Sequence, residues 1–204
     1  MSNIVEKTKE KLVEYEKRHQ RILNAAMRLF NAKGYAATTT ASIAKEAGVT
    51  EKTMYRHFKN KEALFEACVS SITADMATLW QDALERNKGD GLAYLKAISS
   101  SYVEFVIKNP DKSMFLVHLY SYRVIPELDE GFRNAMEDQL DELEGVIESL
   151  QKKGVIRPGM HPRLLAGMFV GNYFTSVFLN EFLGPELYNN ESAMEMTKHF
   201  LGIE

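Results

Sequence analysis

Apolar residues recur every three to four positions along the chain, and no run of strand length alternates between apolar and polar. This period predicts about nine helices and no sheet. Ile22, Ala26, Leu29 and Phe30 share one face of a first helix from about Lys17 to Lys33, and Gly34 is placed as its left-handed C′ residue. The same face extends backward through Tyr15 and Leu12, so residues 1–16 either lengthen this helix or fray from it. Two short helices are expected over Thr40–Ala47 and Thr50–Phe58, then a long one over Lys61–Asn87 with Asn60 as its cap. Gly89 and Gly91 break the pattern. Further helices fit Leu92–Lys108, Lys112–Tyr122, Leu128–Lys153, Pro162–Leu183 and Ser192–Leu201, with stops at Asn109-Pro110, Gly154 and Gly184-Pro185.

The two short helices form a unit of their own. Thr40 and Thr50 each precede one of them and are expected to accept hydrogen bonds from its first-turn amides. Ile43, Ala47, Val49, Met54 and Phe58 are spaced to make a small core between two crossing helices, and Ala44 and Ala47 are small enough to let them approach. Gly48 sits where the turn needs a positive φ. Glu51, Lys52, Thr53, Arg56 and His57 are then left outward, polar and able to hydrogen-bond, as a helix entering a major groove requires. A plain helical hairpin with a wet outer face is the competing reading. The threonine caps, the Ala-Gly turn and the basic flanks weigh against it.

Charge strengthens the nucleic-acid reading. The chain has 204 residues and a net charge of −3, but residues 17–61 hold ten Lys or Arg against Glu46 and Glu51 alone, a surplus of +8. The remaining residues carry −11. A basic block joined to an acidic body is the footprint of a nucleic-acid reader attached to something else. At 45% hydrophobic and 26% charged, with five prolines, the chain can bury a core. Its single cysteine, Cys68, excludes an internal disulfide and any multi-cysteine metal site. The first residues lack an apolar segment of signal-peptide length. The uncharged stretch Leu164–Asn180 is interrupted by Asn172, Thr175 and Ser176, so a buried helix is expected there rather than a membrane span. The expected location is the cytoplasm.

Ile22-Leu23-Asn24-Ala25-Ala26, Leu29-Phe30, Gly34-Tyr35, Thr38-Thr39-Thr40, Ile43-Ala44-Lys45-Glu46-Ala47-Gly48-Val49, Thr53-Met54-Tyr55-Arg56-His57-Phe58 and Lys59-Asn60-Lys61-Glu62-Ala63-Leu64-Phe65 together resemble the TetR/AcrR family of transcriptional repressors. The resemblance is specific over about Gln20–Phe65 and only architectural beyond it. It implies an all-α protein with three parts: an N-terminal extension at 1–16, a three-helix helix-turn-helix DNA-binding domain at 17–66 (motif about 40–59), and a helical ligand-binding and dimerisation domain at 67–204. It also implies a homodimer that reads a palindromic operator and releases it when a small molecule binds. Carried over by position, the family's phosphate contacts fall on Thr40, Tyr55, His57 and Lys61, and its base-facing positions on Ala41, Ser42, Glu51, Lys52 and Thr53. Arg56 adds an outward cation beside them. Small residues are frequent in the family where this chain has Glu51-Lys52, which bears on the bases read and not on the mode of binding.

In the body, Glu137, Asp138, Asp141, Glu142, Glu144 and Glu148 could hold a divalent metal by spacing. Leu140, Leu143, Ile147 and Leu150 form the complementary apolar stripe, so the acids are assigned to a solvated face and no metal is expected. The helix Pro162–Leu183 is apolar on two sides and needs two partners, its own core and a second subunit. Gly167, Met168, Gly171, Phe174 and Phe178 are the expected dimer interface. Trp80, Tyr102, Phe105, Met114, His118, Tyr122, Asn172 and Tyr173 are candidates to line a site for a largely apolar ligand, although an ordinary core uses the same residues. No phosphate loop, metalloprotease pair or nucleophile elbow is present, and the five histidines lack ligand spacing. The sequence therefore predicts a regulator and not an enzyme. It needs no cofactor. Double-stranded DNA, a second copy of itself and an inducer of unknown identity are its expected partners.

Overall fold

The computed structural model describes residues 2–119, 126–184 and 186–203. Among these residues there are nine helices and no strand: α1 (Ser2–Ala37), α2 (Thr40–Glu46), α3 (Glu51–His57), α4 (Lys61–Arg86), α5 (Gly91–Lys108), α6 (Pro110–Leu119), α7 (Pro126–Lys152), α8 (Pro162–Leu183) and α9 (Asn190–Leu201). The chain divides into two compact units, Met1–Ile72 and Thr73–Glu204. No helix among the described residues is long and apolar enough to cross a membrane.

In the first unit the chain before Lys17 lengthens α1 and does not fray from it. The helical period passes without a break from Val5 through Ile22, and the helix turns only at Gly34, where φ is +77°. The buried face is Ile22, Leu23, Ala26, Met27 and Phe30, and Phe30 meets the equally buried Phe65 from the start of α4. Phe30, Tyr35 and Phe65 make a triad of rings with centroids 5.0–5.5 Å apart. Buried Thr38 holds the bend after α1, its hydroxyl lying 3.1 Å from the Leu29 carbonyl and 2.8 Å from that of Gly34.

The caps differ from expectation at one residue. Thr39, not Thr40, caps α2: its Oγ1 accepts from the Ser42 amide at 3.2 Å, and Ser42 Oγ accepts from the Thr39 amide at 3.3 Å. Any of the three consecutive threonines could cap by type. Ser42 three residues beyond Thr39 completes a reciprocal capping box, which Thr40 could form only with Ile43. Thr50 caps α3 and Asn60 caps α4 as expected, accepting from Thr53 N at 3.1 Å and Ala63 N at 2.8 Å.

In the second unit α7 packs against α8, and α5 lies against α6, α7, α8 and α9. Leu143, Ile147 and Leu150 bury the apolar stripe of α7. Its acids are not simply solvated. The Arg163 guanidinium, at the start of α8, bonds Glu137, Asp141 and Glu144 together, and the Tyr94 hydroxyl donates to Glu142 at 2.9 Å. The three carboxylates hold Arg163 firmly protonated, its pKa raised above the usual guanidinium range chiefly by its bonds to Asp141 and Glu144. At the core Ser99 and Thr197 share a buried hydroxyl contact of 2.8 Å between α5 and α9.

Candidate nucleic-acid interface

α2 and α3 are only seven residues each, too short to be stable alone. They persist because each is capped and because Ile43, Ala44, Ala47, Met54 and Phe58 are buried, with α2 packed on both α1 and α3. Gly48, at φ +66°, turns the chain between them, and the Val49 amide closes the turn onto the Ala44 carbonyl at 2.9 Å. The crossing leaves Glu51, Lys52, Tyr55 and Arg56 exposed on α3 and Ala41 exposed on α2.

The expected contact residues separate into three groups. Thr40 and Tyr55, assigned to phosphate, are brought together with their hydroxyls 3.1 Å apart. Glu51 and Lys52, assigned to bases, stand free at the start of α3, whereas the other two base-facing hydroxyls are occupied. Ser42 Oγ donates to the Thr39 carbonyl at 2.7 Å, and Thr53 Oγ1 lies 3.0 Å from Thr50 Oγ1. Lys61 and His57 form the third group, since both turn partly inward. Lys61 Nζ donates to the carbonyls of Tyr35 and Thr38 at 2.9 and 3.0 Å and sits 4.3 Å above the Tyr35 ring. It clamps the end of α1 as well as carrying charge. Tyr35 in turn donates to Glu62 Oε1 at 3.1 Å, and burial with that bond pushes its phenol up to about 12.

His57 is half-buried under an aromatic lid from α1. The Tyr15 ring stacks on it with centroids 4.1 Å apart and planes 26° apart, and His19 packs on Phe58 at 4.6 Å. Burial, then the nearby His19, Arg18 and Arg56, lowers the His57 pKa below its usual 6.5, so the ring is neutral at pH 7. Neither Tyr15 nor His19 figured among the expected contact residues. The continuation of the Ile22 face through Tyr15 was the signal, but periodicity gives a face and not its partner.

The known proteins agree with this geometry. Residues 22–68 match the family described as bacterial regulatory proteins, tetR family. The helix-turn-helix transcriptional regulator YvkB of Bacillus subtilis is 34% identical over 143 residues, which is 69% of this chain and 71% of that protein. The chain belongs to the TetR family of transcriptional regulators. The nucleoid occlusion factor SlmA of Marinobacter nauticus is 31% identical over 79% of this chain and 80% of its own. Among solved structures, the fold of AibR, in complex with isovaleryl coenzyme A and operator DNA, superposes with a TM-score of 0.75. The match covers 92% of this chain and 100% of AibR at 20% identity. KstR2, a ketosteroid regulator of Mycobacterium tuberculosis, gives 0.78 over 91% of this chain and 93% of its own at 19% identity.

A TetR-family regulator needs more than its reader, and the second unit holds two further groups. On α8, Leu164, Met168, Gly171, Thr175, Phe178 and Phe182 fall at alternating spacings of four and three. Leu164, Phe178 and Phe182 are 56%, 58% and 70% exposed, while Leu165, Phe169, Tyr173 and Val177 on the opposite face are buried. Of the expected interface residues, Gly167, Met168 and Phe178 are exposed and Gly171 and Phe174 half-buried. A Cβ at Gly167 or Gly171 would meet nothing within 4 Å.

The second group is a ring cluster. Tyr102 is central, with Trp80, Tyr173 and Phe169 around it at centroid distances of 6.0, 5.4 and 6.5 Å, and Phe105 meets Tyr173 at 6.5 Å. All five are buried. Burial raises the Tyr102 phenol well above its usual value and pushes that of Tyr173 up to about 12, with the neighbouring Ser113 hydroxyl opposing. Trp80 Nε1 and Ser113 Oγ lie close enough to the Tyr102 and Tyr173 phenols to oppose the effect of burial on them, yet neither pair meets the geometry of a full hydrogen bond. Met114, His118 and Asn172 are half-buried on α6 and α8. Tyr122 lies outside the described residues.

Proposed function

We propose that the chain is a repressor: a homodimer that binds a palindromic operator through α3 and is released by a small, largely apolar ligand held in the second unit. The observation that carries the DNA reading is the capped α2–turn–α3 pair with Glu51, Lys52, Tyr55 and Arg56 exposed along one short helix inside the basic block. In this reading Lys52 donates to guanine and Glu51 accepts from cytosine. Thr40, Tyr55, His57 and Lys61 take phosphates, with Ala41, Ser42 and Thr53 close to the bases. The heptad-like spacing of the exposed apolar stripe on α8 supports a second copy as its occupant, because two such stripes pack by interdigitation at a shallow crossing angle.

The ligand reading rests on the ring cluster. Buried polar atoms left without partners are uncommon and call for an explanation. A ligand with an apolar body and one or two polar atoms would complete the poorly aligned pairs of Trp80 with Tyr102 and Ser113 with Tyr173. AibR, of the same fold, is bound to both an acyl coenzyme A and operator DNA, which is compatible with such a role. For release, the ligand must favour the dimer whose readers are mis-spaced for the operator, since equal binding to both forms shifts nothing. The covalent route for that coupling is α4, whose residues fall in both units.

A second reading is a DNA binder that works without an inducer, since the same buried rings serve equally as an ordinary core. One experiment separates the two. Selection from random duplexes should enrich an inverted repeat with half-sites about one helical turn apart or somewhat more. Titration of an apolar compound library, followed by Trp80 fluorescence with and without that operator, should then find ligands whose binding the operator weakens. The expected coupling is about 1–3 kcal/mol. Enrichment of no repeat refutes DNA reading by a dimer. Ligands that bind equally with and without operator refute release and favour the second reading.

A further inference from the structure

The first four turns of α1 leave an open groove against the recognition helix. One wall is Lys11, Tyr15 and Arg18 on α1, and the other is Thr53, Arg56 and His57 on α3, around a volume of about 560 Å³. We propose that this groove takes the operator's sugar–phosphate backbone, so that the start of α1 is a second DNA-contacting element beside the helix-turn-helix. The proposal rests on the DNA reading above and extends it to residues outside the helix-turn-helix.

Continuity is the first argument. Thr53, Arg56 and His57 belong to the same short helix that carries Glu51 and Lys52, so the groove opens from the DNA-facing surface itself. A duplex that admits α3 to its major groove brings the bordering backbone along the flank of that helix. Rigidity is the second. Tyr15 stacked on His57 at 4.1 Å, with His19 against Phe58, fastens this part of α1 to α3, which otherwise stands as an exposed helix. The cations are therefore pre-positioned, and the side-chain ordering needed on binding is reduced.

Charge is the third. The groove carries Lys11, Arg18 and Arg56 against Glu10 and Glu14, and Arg18 Nε donates to Glu14 Oε1 at 3.0 Å. The wall is net positive, with Thr8, Thr53 and Tyr15 as uncharged donors. Such a lining suits a backbone that presents one negative charge per nucleotide between apolar sugars, and Leu12 and Tyr15 supply apolar surface for the sugars. It offers no pattern of groups that would distinguish one base from another, so the contact should add affinity without sequence preference.

The test uses the full chain and measures affinity for the selected operator and for a scrambled duplex across a salt series. Lys11→Ala should weaken both duplexes by the same factor and lower the salt slope by about one, the value for one lost phosphate contact. Hydroxyl-radical footprinting should lose protected sugars at one edge of each half-site. Tyr15→Ala should weaken both duplexes as well, and Tyr15→Phe, which keeps the stacked ring and loses one donor, should weaken them less. Parent-like slope and footprint for Lys11→Ala, while the parent binds its operator, overturn the proposal alone. Tighter binding by Lys11→Ala or Tyr15→Ala would show that this segment obstructs α3, and also overturns it. A parent protein that binds no duplex refutes the DNA reading itself and this proposal with it.

Discussion

The hydroxyls of Thr40 and Tyr55 lie 3.1 Å apart, joining the first residue of α2 to the middle of α3 across the turn. In the proposed reading both take phosphate, and this bond would orient the two hydroxyls before DNA arrives. Tyr55→Phe should weaken all duplexes by a common factor, since it removes a donor that reads no base. Tyr55 is 48% exposed, so unfolding should change by no more than about 0.5 kcal/mol. A binding series on operator and scrambled duplexes, paired with a thermal melt, checks both halves. Loss of operator binding alone would place Tyr55 on bases.

Lys61 is expected to behave differently from a surface phosphate contact. Its ammonium satisfies the carbonyls of Tyr35 and Thr38, and Lys61→Met leaves both without that donor. Unfolding in urea should become easier by about 1.5–3 kcal/mol, the range for hydrogen bonds to a charged group. An unchanged midpoint would mean that the lysine acts only outward.

Gly171→Leu should abolish dimers in sedimentation and weaken operator binding with them. The folding of one chain gives no reason to expect harm, because a Cβ there meets nothing within 4 Å. The melting temperature of the resulting monomer should be judged at matched concentration, since dimerisation itself stabilises. A variant that remains dimeric moves the interface away from this stripe.

His57 predicts two opposite responses to acid. Its pKa is lowered in the folded protein, chiefly by burial, so the unfolded chain holds this proton more tightly. Unfolding therefore takes up a proton as pH falls below about 6.5, and the free protein loses stability through that window. Phosphate beside the ring would favour the charged form, so operator binding should itself take up a proton and tighten in the same window. The imidazole resonance of His57, titrated by NMR with and without operator, should move to a higher pKa in the complex. No shift would remove His57 from the backbone contacts, and His57→Gln should lose the pH dependence of both processes.

The helical period was enough to place the nine helices found among the described residues, because each has at least one face that must be buried. Most ends fell within one or two residues of expectation, but α1 runs over Ser2–Ala37 where Lys17–Lys33 was expected, and the last residues expected of α6, 120–122, lie outside the described residues. The motif residues from Ile22 to Phe65 made the reader legible, since short capped helices around a tight turn demand particular residue types at fixed offsets. What stayed hidden was pairing over distance. Nothing in the spacing of α7 announces that Arg163 will gather Glu137, Asp141 and Glu144, and an acidic stripe reads as solvated until its cation is found. In the same way a ring such as Tyr15 could be placed on a face but not on His57.

The brevity of α2 and α3 has a consequence for genetics. Neither helix has enough turns to hold its own shape, so both take it from buried residues such as Ile43, Met54 and Phe58. Replacing a core phenylalanine there with alanine, at about 3–5 kcal/mol, would loosen the reader without touching any atom that faces a base. A screen for chains that no longer occupy DNA should therefore return interior positions alongside surface ones. Second-site suppressors of the interior hits should restore volume and not charge.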